Sequence, residues 1–117
     1  MKLPILFDDP TALKTYPAGT TLFTEGDPGE FMYVVKSGEI DIDIHGKIVD
    51  TVGEQSIVGE LALLDSVPHS ATAITKTECV LLPINQKQFL FMLEETPFFA
   101  IEVMRIMASR LRHKHAE

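Results

Sequence analysis

Ile40, Ile42 and Ile44 alternate with Asp41 and Asp43, and His45-Gly46 then turns the chain into Lys47-Ile48-Val49-Asp50-Thr51-Val52. Successive strand side chains point to opposite faces, so a period of two puts isoleucine on one face and carboxylate on the other. The two arms are expected to pair as a hairpin around the tight His45-Gly46 reversal, with the aspartates as its wet face.

The neighbouring segments carry the same kind of signal. Thr21-Leu22-Phe23 precedes the turn-rich Glu25-Gly26-Asp27-Pro28-Gly29, and Phe31-Met32-Tyr33-Val34-Val35 is a strongly β-forming run that ends at Ser37-Gly38. Thr72-Ala73-Ile74-Thr75 and Val80-Leu81-Leu82-Pro83-Ile84 add two more strands, separated by Lys76-Thr77-Glu78. Before Thr20, Pro4, Pro10 and Pro17 interrupt short apolar pieces, which predicts an irregular or briefly helical lead-in. Many short strands with frequent glycine turns imply a sandwich or barrel.

From Asn85 the pattern changes to helix. Asn85 or Gln86 stands near the cap, Phe89, Leu90 and Leu93 follow at helical spacing, and Pro97 breaks the run. A second helix is expected from Phe98 to about Arg112, with Phe99, Val103, Ile106 or Met107, and Arg110 or Leu111 along one apolar stripe. Ile101, Met104 and Ala108 widen that stripe, which serves core packing or a homodimer contact through this helix. The class is therefore mainly β with C-terminal α.

Composition limits the functions open to such a chain. Its 117 residues make one domain, 1–117, and a domain of this size buries roughly 65% of its unfolded-chain surface. Cys79, the sole cysteine, reads as a small buried side chain. The N-terminus lacks a secretory signal and no run is long enough to span a membrane, so the expected location is cytoplasmic and no membrane partner is expected. A net charge of -7 argues against nucleic acid as a direct partner. Arg105, Arg110, Arg112 and Lys114 cluster near the C-terminus, where they complement a helix dipole.

Gly59-Glu60-Leu61-Ala62-Leu63-Leu64, followed by Pro68-His69-Ser70-Ala71-Thr72-Ala73, stands apart from these structural runs. Glycine lets backbone approach a ligand, and the apolar residues after Glu60 can form a short helix whose first N–H groups point outward. Ser70 and Ala71 are small enough to leave room for an anion. The segment reads as an anion-cradling turn.

The order of parts resembles the cyclic nucleotide-binding domain family, which includes the regulatory domains of catabolite activator and FNR-type regulators, protein kinase A regulatory subunits and cyclic nucleotide-gated channels. The pieces that carry the resemblance are Glu25-Gly26-Asp27, Met32-Tyr33-Val34-Val35-Lys36-Ser37-Gly38, Val58-Gly59-Glu60-Leu61-Ala62-Leu63 and Ser70-Ala71-Thr72-Ala73. It implies an antiparallel β jelly roll with flanking helices and a phosphate-binding cassette from Gly59 to about Ala73. In that family the glutamate matching Glu60 accepts a hydrogen bond from the ribose 2'-hydroxyl. Backbone N–H groups around Leu61, Ala62 and Ala71 face the cyclic phosphate, and the hydroxyl matching Ser70 adds a donor. The implied ligand is cyclic AMP or cyclic GMP, with no other cofactor and no metal.

Three departures from the family pattern bear on function. Members that bind cyclic nucleotides tightly carry arginine at the position of His69, where a planar, permanently charged fork suits phosphate. Losing one such bond costs roughly 1.5 to 3 kcal/mol, so weak affinity is expected, rising on acidification as the imidazole gains a proton. Gln55 and Val58 replace a glycine and an aromatic in the approach to the cassette. Lys114 and His115 follow where bacterial activators carry hydroxyl residues that contact adenine, and the chain then stops, which predicts a free-standing module without an output domain.

Catalysis is not expected. His45, His69, His113 and His115 form no His-x-His plus glutamate array, Glu94-Glu95 are adjacent helical residues that do not face each other, and no Ser or Cys nucleophile has a partner arrangement. Two functions remain. One is a cyclic nucleotide-binding regulatory module with Gly59, Glu60, Leu61, Ala62, His69, Ser70 and Ala71 as its site and an unidentified protein partner reading the signal. The other is a domain that keeps the fold, has lost the ligand and serves as a protein-interaction or dimerisation module.

Overall fold

The computed structural model describes residues 12–115, with side chains through residue 110. Among these residues, eight strands run β1 Lys14–Tyr16, β2 Thr21–Phe23, β3 Met32–Ser37, β4 Ile40–Ile44, β5 Lys47–Val52, β6 Ile57–Val58, β7 Thr72–Thr75 and β8 Cys79–Ile84. Three helices complete the order among the described residues: α1 Glu60–Asp65 between β6 and β7, then α2 Gln86–Glu95 and α3 Pro97–His115. The strands form two four-stranded sheets, ordered β1-β8-β3-β6 and β2-β7-β4-β5, in which every pairing is antiparallel. This is the expected jelly roll with helices after it.

The predicted hairpin is present, with Ile40 opposite Val52 and Ile44 opposite Lys47. His45 and Gly46 both have positive φ, 54° and 84°, which twists the turn in the same sense as the two strands it joins. Ile40 is buried in the sandwich, while Ile42 and Ile44 are half-buried.

β3 explains how the layers stack. Alternate residues point in opposite directions, and here both directions are dry. Tyr33 and Val35 pack between the sheets with Ile40, Val58, Ala73, Cys79 and Leu81. Met32 and Val34 pack on the other side with Leu82, Ile84, Phe89, Met92, Phe99 and Val103, beneath the two C-terminal helices. The continuous apolar run of β3 is what a strand buried on both faces requires. Cys79 is buried as expected, and its thiol donates to the Glu39 carbonyl at 3.3 Å.

Two strands escape the sequence signals. β1 lies in the segment expected to be irregular, and pairs Lys14 with Leu81 and Tyr16 with Cys79. β6 is two residues long and pairs Tyr33 with Val58. Both are too short to show a period; what makes them strands is the long-range partner strand. The part of the lead-in before Ala12 lies outside the described residues.

The helices begin where the chemistry allows. Asn85 caps α2 in a reciprocal box: Gln88 N donates to Asn85 Oδ1 at 2.8 Å, and Asn85 N donates to Gln88 Oε1 at 2.9 Å. α3 starts at Pro97, one residue earlier than expected, because the first helical position needs no N–H. Phe99 and Val103 are buried and Ile106 and Met107 partly buried along its inner stripe, whereas Phe98, Ile101 and Met104 are exposed.

Candidate functional site

Gly59 begins the site. Its backbone is left-handed, with φ 81°, and a Cβ there would sit 3.1 Å from His69 Cε1, from Phe23 Cε2 and from the Phe31 carbonyl oxygen. Glycine therefore serves both the conformation and the space. The chain enters α1 directly from this turn, so the first N–H groups of α1 follow at once and have no partner inside the helix.

The loop between β2 and β3 holds this region from outside. Gly29 lies so close to α1 that an added Cβ would meet Ala62 Cβ at 2.6 Å and its carbonyl carbon at 2.7 Å. Gly26 N donates to the His69 carbonyl at 2.8 Å, and His69 N donates to the Asp27 carbonyl at 2.9 Å. Glu25 N donates to Thr72 Oγ1 at 2.9 Å, and the Glu25 carboxylate accepts from His45 N at 3.1 Å. The loop thus ties the cassette to the β4–β5 turn.

His69 is fixed on both its backbone and its ring. The imidazole stacks on Phe23 with ring centroids 3.7 Å apart and planes 10° from parallel. The residue is 5% exposed, and burial pushes its pKa below the ordinary 6.5, opposed by the nearby charge of Asp27. Burial thus disfavours the charged imidazole, and the position supplies a ring stacked on Phe23 rather than a projecting cation.

Glu60 is the buried carboxylate of the site, with its side chain 4% exposed. Arg110 of α3 donates through Nη1 to Glu60 Oε1, and through Nη2 to the Ile57 carbonyl and to Ser56 Oγ, the last at 3.2 Å. A buried carboxylate needs such a partner, since an unpaired charge away from water is costly. The sequence places Arg110 both among the basic residues that complement a helix dipole and, with Leu111 as the alternative, on the apolar stripe; in the structure it crosses from α3 to Glu60, Ser56 and Ile57. The signal in the sequence was an arginine standing seven residues after Val103 on the buried face.

These elements enclose an open cavity of about 980 Å³. All seven residues singled out from the sequence line it: Gly59, Glu60, Leu61, Ala62, His69, Ser70 and Ala71. Sequence reasoning missed Phe23, Arg110 and the wall supplied by β4 and β5, including Ile42, Ile44, Val49, Asp50 and Val52. Nothing local distinguished those strand residues from ordinary core. The side chains of Lys114 and His115 lie outside the described residues. Among the described residues, no three His, Cys, Asp or Glu side chains come together as a metal site, and no helix is long and apolar enough to cross a membrane.

The family model for the cyclic nucleotide-binding domain matches residues 13–96, which takes in both sheets, the cassette and α2. The chain belongs to the cyclic nucleotide-binding domain family. Among curated relatives of this cyclic nucleotide-binding domain is a CRP-like cAMP-activated global transcriptional regulator of Mycobacterium tuberculosis, 28% identical over 102 residues, covering 83% of this chain and 46% of the regulator. A cAMP-dependent protein kinase regulatory subunit of Candida albicans is 29% identical over 114 residues, covering 89% of this chain and 25% of that subunit. The catabolite activator protein of Thermus thermophilus superposes with a TM-score of 0.78 at 28% identity, over 89% of this chain and 51% of the activator. The cyclic nucleotide-binding domain described here spans about half the length, or less, of the curated relatives it matches. These relatives are regulatory proteins by name.

Proposed function

We propose that this domain is a regulatory sensor whose cavity takes cyclic AMP or a related nucleotide, weakly at neutral pH, and passes occupancy to α3. The observation that carries this reading is the Glu60–Arg110 pair, which joins the cassette directly to the C-terminal helix. On this reading a ribose hydroxyl donates to Glu60, backbone N–H groups near Leu61, Ala62 and Ala71 face the phosphate, and Ser70 adds a donor. A ligand that engages Glu60 changes what Arg110 can gain there, and so shifts the balance between arrangements of α3. The residues act by binding and orienting; no catalytic step, metal or further cofactor is needed.

His69 sets the affinity. A neutral, stacked imidazole offers the phosphate at most one N–H, where arginine would offer a charged fork. We take residues 1–117 to act as one unit in the cytoplasm, as a homodimer through the exposed Phe98, Ile101 and Met104 of α3, with a protein partner reading the change. The second reading, a ligand-free interaction module, draws its support from the buried, uncharged state of His69.

Calorimetric titration with cyclic AMP and cyclic GMP, on this chain and on His69→Arg, tests the choice. The expected result is weak binding that tightens about ten- to a hundredfold in the variant. If neither form binds either ligand or the corresponding nucleosides, the interaction-module reading replaces the sensor.

A further inference from the structure

The lining of the cavity carries more carboxylate than cation. Among the described residues lining it, Asp50, Glu60 and Asp65 are acidic and Arg110 is the sole guanidinium. That guanidinium is already bound to Glu60, Ser56 and the Ile57 carbonyl. His69 adds no charge at neutral pH, since it is buried against Phe23. A cyclic phosphate would bring another negative charge into a lining that is already net negative, and like charges repel more strongly beside a low-dielectric wall than in water.

The hydroxyl-binding part of the site has no such conflict. Arg110 donates to one oxygen of the Glu60 carboxylate, Oε1. A ribose hydroxyl could donate to this carboxylate without adding charge. Ile42, Val49, Val52 and Leu61 supply apolar surface for a flat heterocycle.

We propose that the preferred occupant is an uncharged nucleoside, its ribose hydroxyl on Glu60 and its base against the β4–β5 wall, and that a phosphate on the ribose weakens binding. This rests on the reading above, in which Glu60 meets a ribose. Asp50 and Asp65 are both exposed, so their repulsion acts through solvent and is screened by salt.

Calorimetry of the full chain with adenosine, guanosine, cyclic AMP and cyclic GMP, at low salt and at about 0.5 M sodium chloride, separates the outcomes. Each nucleoside is expected to bind at least about tenfold tighter than its cyclic phosphate at low salt. Added salt should tighten the cyclic nucleotides and leave the nucleosides nearly unchanged. Asp50→Asn and Asp65→Asn, at exposed positions that do not threaten folding, should narrow the gap from the cyclic-nucleotide side. Equal or tighter binding of the cyclic nucleotides, or their weakening in salt, would overturn the inference while leaving the sensor reading standing. Nucleoside binding that survives Glu60→Ala unchanged would put the ligand elsewhere and overturn it too. No binding of any of the four would remove both.

Discussion

Arg110 on α3 and Glu60 at the start of α1 are fifty residues apart in sequence and form one ion pair, the guanidinium also holding Ser56 Oγ and the Ile57 carbonyl. The pair is asymmetric: Glu60 is buried, whereas the Arg110 side chain keeps 36% of its exposure. The carboxylate therefore depends on the guanidinium more than the reverse. Arg110→Ala should leave Glu60 buried without its counter-charge and cost about 2 to 3 kcal/mol, less than a fully buried pair because water reaches one partner. Urea denaturation checks this. In a double-mutant cycle with Glu60→Gln, Arg110→Ala should cost much less than it does alone.

The pH profile of stability should carry the signature of His69. Burial lowers its folded-state pKa, with Asp27 opposing, so between that value and 6.5 the unfolded chain binds more protons than the folded one. The stability this preserves is fully present above about pH 6.5 and is lost as pH falls from there toward the folded value. His69→Phe keeps a ring on Phe23 and removes the titration, so its denaturation midpoint should fall less steeply across the same range. If a cyclic nucleotide binds, its affinity should rise on acidification only below about pH 6.5. A rise already complete at pH 7 would contradict the burial of the ring.

Gly29→Ala should disturb the site from outside it. The new methyl group would fall 2.6 to 2.8 Å from the Cβ, carbonyl carbon and carbonyl oxygen of Ala62, so α1 would have to move. A cost of about 1 to 3 kcal/mol is expected, together with weaker ligand binding. Thermal unfolding and calorimetry on the same sample measure both; lost affinity at wild-type stability would mean that the loop yields and α1 does not.

Asn85→Ala removes the side-chain half of the α2 cap. Gln88 N then loses its acceptor, for a cost of about 1 kcal/mol. Ligand affinity should stay within error, because neither Asn85 nor Gln88 lines the cavity.

The seven candidate residues that line the cavity stand out in the sequence because they lie in two short local segments, 59–62 and 69–71, where glycine, small residues and one acidic residue break the apolar pattern. The β4–β5 hairpin was legible for a similar reason, since its turn and its alternation are both local. Arg110 and Phe23 were not assigned to the site, because their roles exist only once α3 and β2 have been folded against the cassette. His69 lies between these cases. Its departure from arginine was visible, but its stack on Phe23 depends on a residue forty-six positions away.

β3 forms a wall of the sandwich with Tyr33 and Val35 and the floor of the helix layer with Met32 and Val34. α2 and α3 cannot peel away from that floor without wetting Met32, Val34, Leu82 and Ile84 together, a cost that sliding along it would avoid. If the domain signals as proposed, the motion is expected to be shear, and slow amide exchange in β3 and β8 should persist through it, giving way only when sheet and helices melt as a single cooperative unit.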